Sequence, residues 1–209
     1  MRKSAADRFG RIAARPPHAE PGQAVGLLGG SFNPPHAAHR QISEIALKRL
    51  GLDRVWWLVS PGNPLKGRAD LLPLAERLAL CREMAHNPHI EVTGFEAELP
   101  TPYTASTLAF LRARSPLVRF VWVMGADNLA TLHLWRSWRE ILALMPVAVV
   151  DRPGWRLKAM ASPAARAFAR NRMPEREAPM LARAAPPAWA FLTGRLSPLS
   201  STAIRAKAR

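Results

Sequence analysis

The chain has 209 residues, enough for one medium domain with a sizeable core, and 48% of them are apolar, which excludes a disordered chain. Thirty Lys and Arg against fifteen Asp and Glu give a net charge of +15. That balance favours anionic partners, nucleic acid or phosphorylated small molecules, without choosing between them. A single cysteine, Cys81, excludes a disulfide framework within the chain and suits a reducing compartment, so a cytoplasmic protein is expected.

The longest apolar stretch, residues 141–150, is interrupted by Pro146 and falls well short of the ~20 residues a membrane-spanning helix needs. The first residues are basic but lack the apolar segment of a secretory signal. Residues 1–21 are therefore read as a basic, flexible tail and 22–209 as one domain.

Residues 24–28 (AVGLL) form a buried strand running into Gly29-Gly30, and residues 36–50 follow as a helix. Residues 54–59 (RVWWLV) are strand-like, 73–85 helical, and 90–93 a short strand. Thr104 is placed as the N-cap of a helix over 105–114. A strand at 119–124 (RFVWVM), a helix at 135–144 and a strand at 146–150 come next. Residues 159–170 are expected to be helical and the Pro-, Arg- and Ala-rich 171–187 a loop. A strand at 189–193 and a closing helix at 200–208 end the pattern. Apolar strands that alternate with helices predict an α/β fold, a Rossmann-like parallel sheet with helices on both faces. In such sheets ligands sit beyond the C-terminal strand ends. The segments 29–39, 60–66, 125–127 and 151–154 are thereby selected as the chemistry-bearing loops.

The first of these reads GGSFNPPHAAHR. Gly29 and Gly30 allow a sharp turn and close approach to a ligand. Pro34 and Pro35 suit the entry to a helix. His36 and His39 are three apart, so both imidazoles project from one side of that turn. Free N–H groups and the helix dipole favour anions there, and two imidazoles can add hydrogen bonds to phosphate oxygens. The pair is short of the three or four ligands zinc requires, and no Cys or Glu at suitable spacing accompanies it, so no metal site is expected. Near the other end, Ser200, Ser201 and Thr202 stand at a helix start with Arg205 one turn on, a second arrangement suited to phosphate.

These two segments resemble the signatures of the nucleotidylyltransferase superfamily, Gly-Gly-x-Phe-x-Pro-x-His-x-x-His and Ser-Ser-Thr-x-x-Arg, in the same order. From about residue 24 to 205 the chain is similar to bacterial nicotinate mononucleotide adenylyltransferases. The similarity takes in SPGNPLK with Lys66, the run Tyr103 to Leu108, Gly125 and Asp127, Trp135, and Arg152-Pro153-Gly154. It departs at Asn33, where the family usually has Asp, and at Ala38, where it has Gly.

The resemblance implies adenylyl transfer from ATP to nicotinate mononucleotide, by direct displacement at the α-phosphorus with loss of pyrophosphate. It implies an ATP site made of Gly29, Gly30, Ser31, Phe32, Asn33, His36, His39, Gly125, Asp127, Ser200, Ser201, Thr202 and Arg205. Within it Gly125 and Asp127 approach the ribose, and His36, His39 and Arg205 serve the phosphates. It implies a mononucleotide site made of Lys66, Tyr103, Thr104, Trp135 and Arg152. There Trp135 stacks on the pyridine ring and the backbone around Thr104 holds the carboxylate. Lys66 joins His36, His39 and Arg205 among the catalytic residues. Mg²⁺ is expected to ride on ATP, since no acidic cluster offers a cage. Two alternatives stay open: an amide or another phosphorylated acceptor in place of the acid, and a nucleic-acid-binding protein on the same fold. The favoured reading has small-molecule partners, no nucleic acid and no membrane, and is compatible with a homo-oligomer.

Overall fold

The computed structural model describes residues 14–62 and 71–194. Its centre is a seven-stranded sheet in the order β3-β2-β1-β4-β5-β7-β6. The strands are β1 (Ala24–Gly30), β2 (Arg54–Val59), β3 (Ile90–Thr93), β4 (Arg119–Gly125), β5 (Val147–Val150), β6 (Arg172–Met173) and β7 (Trp189–Leu192). Every pairing is parallel. Parallel neighbours need long crossovers, which are supplied by α1 (Ala37–Leu50), α2 (Leu74–Ala85), α3 (Thr104–Arg114), α4 (Ala126–Thr131), α5 (Trp138–Leu144), α6 (Arg156–Met160) and α7 (Pro163–Ala167). Among the described residues, no helix is long and apolar enough to cross a membrane.

Alternation along the strands sends side chains to two separate cores. Val25, Leu27, Trp56, Leu58, Trp122 and Met124 meet Leu108 and Leu111 of α3, Leu129 of α4 and Ile141 of α5 on one face. Leu28, Val55, Trp57, Val121 and Val123 meet Ala46 and Leu50 of α1 and Cys81 and Ala85 of α2 on the other. Leu108 and Leu111 are fully buried, and each such side chain contributes about 1.5–3 kcal/mol. Cys81 is an inert core thiol, pushed up to about 12 by burial.

Several local expectations are revised. Gly29 and Gly30 do not make the turn; both belong to β1, and the backbone turns left-handed at Phe32, whose φ is 45°, just before a bend at residues 33–34. A side chain at Gly29 would meet Trp122 Cη2 at 2.3 Å, so that glycine is required by close packing. Tyr103, not Thr104, is the N-cap of α3. The helix expected from residue 135 begins at Trp138, after a 3₁₀ turn Leu132–Leu134 and a left-handed Ser137 (φ 54°).

Residues 159–170 do not form one helix. Ser162 Oγ accepts from the Ala165 N–H and Pro163 stands at the first helical position, so a new helix starts there. Residues 171–187 are ordered structure, containing β6 and a 3₁₀ segment Glu175–Arg183. Glu175 holds that segment by accepting from the Thr193 N–H (2.8 Å) and Arg49 Nη2 (2.7 Å). Of the N-terminal tail, residues 14–21 are described as coil, and Ala14 is buried in the core. The helix expected at 200–208 lies outside the described residues.

Candidate active site

The strand order reverses direction between β1 and β4. Crossovers from those two strands leave to opposite sides, opening a crevice at their C-terminal ends, where ligands of such sheets bind. A cavity of about 350 Å³ occupies this crevice. Its walls are Gly29, Gly30 and Ser31 after β1, Ser60 and Gly62 after β2, and Glu96, Pro102, Tyr103 and Thr104 after β3. Trp122 of β4 and Leu134, Trp135 and Arg136 complete it. The Arg136 guanidinium lies 4.7 Å from the Tyr103 ring centroid and donates to its hydroxyl at 3.3 Å. Thr104 opens α3; the Ser106 N–H donates to the Tyr103 carbonyl at 2.9 Å, which leaves the Thr104 and Ala105 N–H groups outside the helical ladder.

His36 is the N-cap of α1 and His39 its third residue, with ring centroids 3.9 Å apart. The His36 N–H donates to His39 Nδ1 at 3.2 Å. An accepting Nδ1 carries no hydrogen, so the neutral ring holds its proton on Nε2 and can donate there. The ring of Phe32, 4.6 Å from His39 and 5.1 Å from Trp57, backs the pair. Burial, then repulsion from Arg152, lowers His36 to about 4. Burial, then repulsion from His36, lowers His39 to about 3. Both are neutral donors near pH 7.

That depression has a sign in stability. Between about 6.5, the unfolded value, and about 4 to 3, the unfolded chain binds protons that the native histidines refuse. Their neutral packing therefore stabilises fully above 6.5 and is lost as pH falls through this window. We expect urea denaturation to show lower stability at pH 5 than at pH 7. In His39→Asn the loss should shrink by about 1–2 kcal/mol. An identical pH dependence in the two proteins would remove His39 as its source.

Gly125 caps α4 at the end of β4, and Asp127 lies in the first turn. A side chain at Gly125 would stand 2.5 Å from Asp127 Oδ1, so the glycine leaves room for that carboxylate. Asp127 Oδ2 is paired with Arg152 Nη1, while Oδ1 is buried without a hydrogen-bond partner among the described residues. The structure thus groups Arg152 with Asp127 and the histidines, apart from the cavity wall of Tyr103, Thr104 and Trp135. Phe32 and Asn33 are buried; Asn33 Oδ1 accepts from the Leu72 N–H at 3.1 Å and so serves the loop. Lys66, Ser200, Ser201, Thr202 and Arg205 lie outside the described residues.

Two buried charges at the site escaped the sequence reading. Arg77 of α2 is 1% exposed. Its Nη1 donates to the carbonyls of Ser31 and Ser60 (2.7 Å each) and its Nε to that of Leu72 (2.8 Å). It lies on the i, i+4 stripe with Cys81 and Ala85, a core position that spacing marks and residue type disguises. Glu96 is 8% exposed, lines the cavity, and accepts from Thr107 Oγ1 at 2.7 Å. In FEAEL nothing separates it from the exposed Glu98.

Comparison with known proteins agrees with this geometry. The family described as cytidylyltransferase-like matches residues 27–207. A probable nicotinate-nucleotide adenylyltransferase of Mesorhizobium japonicum is 55% identical, over 92% of this chain and 99% of its own length. One from Methylorubrum extorquens is 58% identical, over 88% of this chain and 99% of its own. The fold is similar to that of a Plasmodium falciparum nicotinic acid mononucleotide adenylyltransferase solved with NaAD, with a TM-score of 0.66 at 14% identity, covering 88% of this chain and 83% of that one. A parallel sheet with its crevice at the β1/β4 switch point, a histidine pair opening α1, and relatives matched over nearly their full length place the chain in the cytidylyltransferase-like family, among the nicotinate-nucleotide adenylyltransferases.

Proposed function

We propose that this chain joins the AMP portion of ATP to nicotinate mononucleotide, giving nicotinate adenine dinucleotide and pyrophosphate in NAD biosynthesis. One observation carries the reading. The Gly29–Ser31 segment connects a cavity suited to a flat ring that bears a carboxylate with a pair of neutral imidazole donors suited to phosphate.

On the cavity side, the indole of Trp135 offers a face for a cationic pyridinium. The opening N–H groups of α3, near Thr104, suit the ring carboxylate. Tyr103, fixed by Arg136, closes that wall. On the other side, Asp127 Oδ1, buried and without a partner, suits a ribose hydroxyl donor. Gly125 leaves the space for it. Arg152, beside Asp127 and close enough to depress both histidines, suits the ATP phosphates better than the mononucleotide.

The attacking phosphate oxygen is already anionic, so the reaction requires no general base. The work left to the protein is in-line positioning and stabilisation of charge at the α-phosphorus and leaving group. His36 is assigned to the α-phosphate and His39, through Nε2–H, to the transition state and the β/γ-phosphates. Lys66, Ser200, Ser201, Thr202 and Arg205 are assigned to the mononucleotide phosphate and to pyrophosphate. No group of three His, Cys, Asp or Glu that could hold a metal is found among the described residues. Mg²⁺ is expected to be carried by the triphosphate and water, where it would neutralise phosphate charge.

The test is pyrophosphate release from ATP and Mg²⁺ with nicotinate mononucleotide and, separately, with nicotinamide mononucleotide. A marked preference for the acid at pH 7 or below is the expected result. Absence of acid-dependent release would overturn the substrate assignment.

A further inference from the structure

Glu96 places a carboxyl group in the same cavity wall as Tyr103, Thr104 and Trp135. Its Oε1 accepts from Thr107, one turn into α3, the helix assigned to the substituent on the ring. Among the described residues no cation pairs with it at salt-bridge distance. Among the described residues, Tyr103 and Arg136 are the other titratable groups on the wall, and Arg136 is engaged with Tyr103. The ends of β1 and β2 contribute Gly29, Gly30, Ser31, Ser60 and Gly62, none of them charged. On its own turn, Glu98 is exposed to solvent.

We propose that Glu96 determines the preference of this cavity for a ring carboxylate over a ring amide, and that it does so only while its own carboxyl holds a proton. The inference rests on placing the pyridine ring in this cavity. Two carboxylates in one small cavity repel, and one shared proton removes most of that repulsion. Protonated Glu96 keeps Oε1 as acceptor for Thr107 and adds an O–H donor. An ionised Glu96 can only accept, which suits the N–H₂ of an amide.

Burial pushes the Glu96 carboxyl up to about 7. Below that pH the acid binds without proton exchange. Above it, each acid bound draws one proton from solvent, and affinity for the acid falls by up to about tenfold per pH unit. The amide bears no such penalty. The phosphate group is common to both mononucleotides, so its titration cancels in their ratio.

The experiment compares kcat/KM for the two mononucleotides from pH 6 to 9 in the unaltered protein and in Glu96→Gln. Titration calorimetry with nicotinate mononucleotide at pH 8, in two buffers of different ionisation enthalpy, counts the protons. The acid-to-amide ratio should fall above pH 7 by up to about tenfold per unit and stay level in Glu96→Gln. Uptake should be about one proton in the unaltered protein and none in the variant. A level ratio in the unaltered protein, or an unchanged slope in Glu96→Gln, overturns the proposal. Should the variant not fold, zero proton uptake by the unaltered protein overturns it equally. Turnover of neither mononucleotide at any pH is a different failure, that of the ring assignment itself.

Discussion

Replacing His39 by alanine is expected to lower kcat by about 10²- to 10³-fold, the cost of one preorganised donor at a developing charge, while the protein stays folded. The imidazole is neutral, held at about 3 by burial and by its neighbour His36. Its orientation comes from the His36 N–H, which occupies Nδ1 and leaves Nε2–H free to donate. Phe32 and Trp57 back the ring, and the backbone carbonyl of His39 accepts from Ser43 Oγ, which also accepts from Trp57 Nε1. A donor fixed in this way needs no rearrangement when charge builds on the phosphates. Its loss should therefore appear in kcat and kcat/KM together rather than in KM alone. The structural cost is moderate, because the alanine variant gives up a capping contact worth about 1 kcal/mol together with the packing of the ring on Phe32 and Trp57, about 2–3 kcal/mol in all, or roughly 4–12 °C in Tm at this chain length. Pyrophosphate release and thermal denaturation of the same preparation separate the two effects. Unchanged turnover would take His39 out of the mechanism.

The sheet was legible because its strands are short apolar runs bounded by charge, glycine or proline. The limits expected for β2 and β3 match those observed. Helix starts were harder where backbone geometry overrides periodicity. Nothing in LHLWRSW announces that Ser137 turns left-handed and delays α5 to Trp138. The 171–187 stretch looked like a loop because proline and arginine hide its long-range anchor, Glu175 bonded to Thr193 and Arg49. At the crevice, the histidine pair stood out because its spacing is local. Glu96 and Arg77 did not, since the meaning of a buried charge depends on partners brought from other elements. Thr107 lies 11 residues from Glu96, and Ser31 lies 46 residues from Arg77. The same limit explains Gly29, which as a sequence feature signals a sharp turn. Only the packed indole of Trp122 shows it to be a clearance.

Arg77→Met is expected to be the most destabilising of the substitutions considered. A buried guanidinium normally needs a carboxylate, and burial disfavours its charge. Here three backbone carbonyls take that place: Ser31 after β1, Ser60 after β2, and Leu72 at the start of the segment leading to α2. One planar cation therefore sets the spacing of two loops that line the cavity. Methionine fills similar volume but leaves carbonyls unpaired, at about 1–3 kcal/mol for each that water cannot reach. A loss of about 3–5 kcal/mol is expected, equivalent to roughly 10 °C or more in Tm. Arg77→Lys keeps the charge but not the fork, so it should fall between methionine and arginine in stability. Both variants should also lose turnover at temperatures where they remain folded, because Ser31 and Ser60 are no longer held at a fixed distance. An unaltered Tm in Arg77→Met would refute the clamp. A lowered Tm with full turnover at 20 °C would instead confine Arg77 to stability and leave loop spacing to other contacts.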